Sequence, residues 1–116
     1  MRCLCKLNET FDLKVKGDVG ADPIWCSKCG TNLELEELGL SKELEEKLLK
    51  WANDYGEWID WIKDELVKNG VEMEEEHNTK GRELTDCVIK ELGYRYRVIF
   101  SPSSMGKSYR KKRNWL

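Results

Sequence analysis

Between Thr10 and Lys16 apolar and polar residues alternate, which places Phe11, Leu13 and Val15 on one face of a β-strand. The turn-forming stretch Gly17 to Pro23 follows, and Ile24-Trp25 reads as a short return strand, so the front of the chain is predicted to be a hairpin. From Ser41 to about Val67 the period changes. Leu44, Leu48, Ala52, Tyr55, Ile59, Ile62 and Leu66 recur at spacings of three and four, the stripe of one long amphipathic helix. Ser41 supplies an N-cap, and Glu43 and Glu45 place negative charge in the first turn, where the helix dipole favours it. Gly56 permits a bend, and Asn69 or Gly70 can close the C-terminus. The charge run Glu72 to Glu76 reads as a solvated connector, and a second helix is predicted over 79–92 with Leu84, Val88 and Leu92 on one face. Tyr94 to Phe100 then alternates again. Tyr94, Tyr96, Val98 and Phe100 are expected to face the helices, with Arg95 and Arg97 opposite. That strand needs a partner, either the front hairpin or an irregular strand near Val71 to Met73.

These elements predict an α+β fold in three parts: residues 1–33 as a hairpin module, residues 34–106 as a small helical body, and residues 107–116 as a tail. With 40% hydrophobic and 36% charged residues and only two prolines, the composition is that of a folded, helix-rich chain. The N-terminus has no apolar leader segment and no apolar run is long enough to span a bilayer, so a cytoplasmic location and no membrane contact are expected.

Five cysteines change this picture. Cys3-Leu4-Cys5 and Cys26-Ser27-Lys28-Cys29-Gly30 are two pairs that a hairpin brings together, and in a reducing compartment such pairs point to metal ligands rather than disulfides. Cys26 to Gly30 has the Cys-x-x-Cys-Gly form in which glycine lets backbone amides turn toward thiolate. Over residues 1–33 the chain resembles a zinc ribbon. The resemblance implies that Cys3, Cys5, Cys26 and Cys29 hold a structural Zn²⁺, although Cys3 and Cys5 stand one residue closer than the usual pair. Reduced thiols and an iron–sulfur or redox-active set are the alternatives. Cys87 reads as a small buried hydrophobe, and His77, the only histidine, as a solvent-facing or helix-capping residue.

Charge is segregated along the chain. Residues 34–76 carry fifteen acidic and five basic side chains, whereas residues 94–116 carry seven basic and none acidic. Arg95, Arg97, Lys107, Arg110, Lys111, Lys112 and Arg113, with Tyr109 and Trp115 interleaved, suit a nucleic-acid contact surface. The first functional expectation is therefore a non-catalytic nucleic-acid accessory factor acting through a basic arm. The alternative is a protein-binding adaptor or inhibitor that uses Trp51, Tyr55, Trp58 and Trp61 on the acidic helix. No catalytic constellation and no small-molecule site is evident. Ser101 to Ser108 ends like a phosphate-binding loop, but serine stands where its first glycine belongs and too little chain follows.

Overall fold

A computed structural model describes the backbone of residues 1–114 and the side chains of residues 1–109. The alternation at the front forms β1 (Asp12–Val15), which pairs antiparallel with β2 (Ile24–Cys26). A short β3 (Asn32–Leu33), which the pattern did not announce, adds to the other edge of β2. The strand near the C-terminus, β6 (Arg97–Phe100), lies parallel to β1 with Leu13 opposite Val98 and Val15 opposite Phe100. The sheet order is β3-β2-β1-β6. A parallel pair needs a crossover, and here the crossover carries the helices. The sheet therefore joins the front hairpin to the last strand, across the boundary expected at residue 33.

The fold class is α+β, but the long helix is shorter than its periodicity implied. Helix α1 spans Lys42–Asn53, capped by the Ser41 hydroxyl, which accepts from Leu44 N–H at 3.3 Å. Glu91 accepts from both the amide and the hydroxyl of Ser41 at 2.6 Å, tying this cap to the second long helix and lowering the Glu91 pKa. After Asn53 the chain turns. Gly56 has φ of +87°, outside any helix, and a hairpin follows, β4 (Ile59–Asp60) with β5 (Glu65–Leu66). Asp60 Oδ1 accepts from the amides of Ile62 and Lys63 at 3.0 and 3.1 Å and so stabilises the hairpin turn. The apolar spacing persists into this hairpin, yet Asp60 and Gly56 serve turn geometry that a helix does not offer.

Helix α2 runs Gly70–Leu92, starting nine residues before the expected Thr79. Glu72 to Glu76 is helical rather than a connector. Asn69, left-handed at φ of +63°, sets its entry. α2 packs on α1 and on β6. Leu13, Val15, Ile24, Cys26 and Val98 of the sheet meet Leu44, Leu48 and Trp51 of α1 and Val88 and Leu92 of α2 in one core. Each fully buried aliphatic side chain contributes about 1.5–3 kcal/mol. The closest approach is at Gly81, where a Cβ would sit 2.4 Å from the Phe100 ring and 2.7 Å from the Trp51 ring. Because the inward positions of α2 include Gly81, Thr85, Val88 and Leu92, Cys87 falls on the outside and is exposed, contrary to its expected burial.

On β6 only Val98 is buried. Phe100 is half-buried and Tyr94 is fully exposed, so the inward face begins later than the alternation suggested. Helix α3 (Met105–Asn114) closes the chain. Its first turn is held by Glu74, which is buried and whose Oε2 accepts from Gly106 N–H at 2.7 Å and Ser103 Oγ–H at 2.8 Å. Asn78 of α2 adds a two-way bond to the Ser103 backbone. The phosphate-loop-like segment is therefore met by the protein's own side chain, the Glu74 carboxyl group.

Candidate functional site

The four cysteines Cys3, Cys5, Cys26 and Cys29 come together at the end of the sheet, with all four sulfurs within 4.8 Å of one another. Each half is built locally. In the first, a bridge between Arg2 and Glu9 closes a tight loop in which Asn8 takes a positive φ of 56° and Cys5 N–H donates to Cys3 Sγ at 3.3 Å. The short Cys-x-Cys spacing is accommodated by this turn. In the second, Cys29 N–H donates to Cys26 Sγ at 3.5 Å, and Gly30, at φ of +77°, donates to Cys26 O. Only a residue tolerant of that φ reverses the chain here.

Cys5 Sγ and Cys26 Sγ are 3.6 Å apart, close to the edge of about 3.8 Å for a tetrahedron with metal–sulfur bonds of about 2.3 Å, and well beyond a disulfide bond. Thiols this close do not ionise independently. A hydrogen bond with Cys3, with burial, holds the Cys5 thiol up to about 12. The Thr31 hydroxyl, 3.1 Å from Cys29 Sγ, brings the Cys29 thiol down to about 6. Burial raises Cys26, but the Cys29 amide and the Thr10 hydroxyl outweigh it and lower the thiol overall. A metal ion held here would replace the shared protons with one central charge, and this all-thiol donor set suits a soft-to-borderline metal.

The four aromatic residues once placed on one helix are divided. Trp51 lies on α1, Tyr55 and Trp58 in the following turn, and Trp61 on the β4–β5 hairpin. Trp51 and Trp58 are 4% and 2% exposed, Tyr55 is half-buried, and Trp61 is 54% exposed beside the fully exposed Ile62. Trp51, Tyr55 and Trp58 gather around His77, which is buried at 7% exposure rather than solvent-facing or capping. Its ring stacks on Trp51 with centroids 4.4 Å apart, and Trp58 lies at 4.9 Å and Tyr55 at 5.9 Å. Burial lowers its pKa to about 4 against the partial opposition of Asp54 and Glu74, so the imidazole is neutral at pH 7. Sequence reasoning missed this residue because the rings that bury it come from α1 and the turn after it. The only available signal was its place four residues before Gly81 in an unbroken helix.

Three of the seven basic residues expected to contact nucleic acid have described side chains. Arg95 donates to the carbonyl of Leu92, Arg97 pairs with Asp12 at 3.7 Å, and Lys107 is exposed on α3. Tyr109 donates to Asp64, joining α3 to the β4–β5 hairpin. The side chains of Arg110, Lys111, Lys112 and Arg113, and Trp115 altogether, lie outside the described residues. No helix among the described residues is long and apolar enough to cross a membrane.

No curated protein matches the chain. A family model described as Serratia CdiI immunity protein-like matches residues 11–103. That span holds the sheet strands, α1, α2 and the aromatic cluster, and stops before Lys107. It overturns the nucleic-acid accessory role expected from the basic arm: an immunity-protein family points to a protein-binding inhibitor, the alternative reading of the sequence. With most of its length covered by that match, the chain belongs to the Serratia CdiI immunity protein-like family.

Proposed function

We propose that this chain is a non-catalytic immunity protein, which binds a protein toxin and holds it inactive. The observation that carries the reading is the family match over residues 11–103. Two features of the chain support it. The four-cysteine cluster, once filled, leaves a metal no open position for water, and His77, neutral and enclosed by rings, is a packed group rather than a base poised over a substrate. The test uses the full-length tagged chain to capture a partner, followed by expression of that partner with and without the chain. The captured protein should arrest growth alone, and co-expression should restore it. A partner that is harmless by itself, or an arrest that the chain does not relieve, defeats the reading.

A second reading concerns the cysteines: Zn²⁺ is the ion they hold, through Cys3, Cys5, Cys26 and Cys29, as a structural clip. The 3.6 Å Cys5–Cys26 sulfur separation supports it. Elemental analysis should find zinc stoichiometric with the chain and lost in each single Cys→Ser variant. Retention of zinc in Cys3→Ser or Cys5→Ser sinks the four-ligand set.

A further inference from the structure

A groove of about 670 Å³ runs between α2 and the end of α1 with the turn that follows it. Six carboxylates line it: Asp54 and Glu57 from the turn, and Glu72, Glu75, Glu76 and Glu83 from α2. Lys80 is the one cationic side chain lining it, and no salt bridge ties any of the six carboxylates to a described residue. Glu72 and Glu76 stand one helical turn apart, where like charges destabilise a helix by about 0.2–0.5 kcal/mol. Lys80, one turn after Glu76 on the same helix, offsets part of this repulsion, but one cation stands against six carboxylates.

The wall of the groove is aromatic and buried. Trp51, Trp58 and His77 line it, each more than nine-tenths buried. Low-dielectric walls beside clustered charges of one sign focus their field outward and raise the local concentration of a cationic partner. Trp58 Nε1 and His77 Nε2 are enclosed within the wall, and His77 Nε2 faces Gly17 rather than the groove, so the carboxylates and not these nitrogens are what the groove offers a partner. The carboxylates are also spread along α2 from Glu72 to Glu83, the length of three helical turns, which suits an extended chain better than a point charge.

We infer that this groove is the docking site for a cationic, arginine- or lysine-bearing segment of the protein partner. The inference rests on the immunity reading for the identity of that partner, but its chemistry is a property of the groove. Arginine suits it most, because a guanidinium pairs with carboxylates in a planar, two-bond geometry.

The experiment compares two triple variants of the full chain. Glu72→Gln, Glu76→Gln and Glu83→Gln together neutralise exposed carboxylates of the groove; Glu34→Gln, Glu36→Gln and Glu37→Gln together neutralise as many exposed carboxylates away from it. The probes are a hexa-arginine peptide, followed by tryptophan fluorescence, and the toxin captured above. The groove triple should weaken hexa-arginine binding by about tenfold or more and toxin binding by about 100-fold, while the control triple changes each less than about twofold. Equal losses in both triples reduce the effect to net charge and overturn the inference. A toxin still neutralised at full strength by the groove triple also overturns it, yet leaves the immunity reading standing. If instead no toxin is found, the immunity reading fails, and the hexa-arginine comparison still decides whether the groove selects cations. Replacing Arg110, Lys111, Lys112 and Arg113 by alanine should leave hexa-arginine affinity unchanged. A gain of about tenfold or more would make the chain's own tail the occupant and defeat the proposal.

Discussion

Two regions of this molecule bring like groups together, and they do so on different scales. At the sheet end four thiols converge within 4.8 Å. Along α2 and the turn facing it, six carboxylates line one groove without a salt-bridge partner among the described residues. Spacing decides what each set can hold. Thiols this close can share one small ion, and where they hold one the exchange of protons for metal becomes part of the folding free energy. Carboxylates spread over three turns of helix cannot share one ion, and only an extended partner meets them all. The first region therefore belongs to stability and the second to recognition.

The largest effect should come from the thiols. On the structural-zinc reading, chelating the metal from the loaded chain, or replacing the fully buried Cys26 by serine, should destabilise the fold on the order of 5 kcal/mol or more, read by chemical denaturation. An unchanged midpoint would remove stability from that end of the comparison. Next is Gly81, where α2 meets both Trp51 and Phe100. Gly81→Ala should destabilise by about 1–3 kcal/mol through overpacking, opposite in sign to the gain of about 1 kcal/mol that alanine gives an exposed helix position. A more stable variant would mean that the two rings can move aside.

His77 sharpens the comparison by pH. Its folded pKa, about 4, lies below the ordinary 6.5, so the unfolded chain binds more protons between those values. The stability contributed by the neutral ring is present above about 6.5 and is lost as pH falls toward 4. Allowing for solvent screening, the loss is about 1–2 kcal/mol, measured as the difference in denaturation midpoint between pH 7 and pH 4.5. His77→Phe keeps a flat ring against Trp51 and should flatten this dependence; an unaltered slope would assign it to other groups. The smallest effect belongs to the groove. Neutralising Glu72, Glu76 and Glu83 should leave the isolated chain as stable or raise its stability by a few tenths of a kcal/mol, because the repulsion it removes is worth about that. A loss above about 1 kcal/mol would show that these carboxylates serve the fold rather than a partner.

Much of this was legible in the chain. The alternation through Leu13 and Val15, the Ser41 cap, the cysteine pairs and the acidic middle of the sequence all stand where local pattern placed them. The misreadings share a cause. Ile59, Ile62 and Leu66 continue a helical period by spacing alone, but Gly56 and Asp60 turn the chain into a hairpin. Glu72 to Glu76 looked like a solvated linker because exposed helix and connector have the same composition. Cys87 looked buried because its apolar neighbours hid which face α2 turns inward.

What the sequence determined by itself is what depends on residues within a few positions of one another: strand alternation, the helix cap, the Cys-x-x-Cys-Gly turn and the sign of charge in each segment. Only the tertiary structure decided the rest. It set β6 beside β1, closed Trp51 and Trp58 over His77, put Glu74 against the first turn of α3, and faced Asp54 and Glu57 toward the carboxylates of α2. The reason is physical. Burial and the convergence of like charges are sums over segments far apart in the chain, and no local pattern carries that distance.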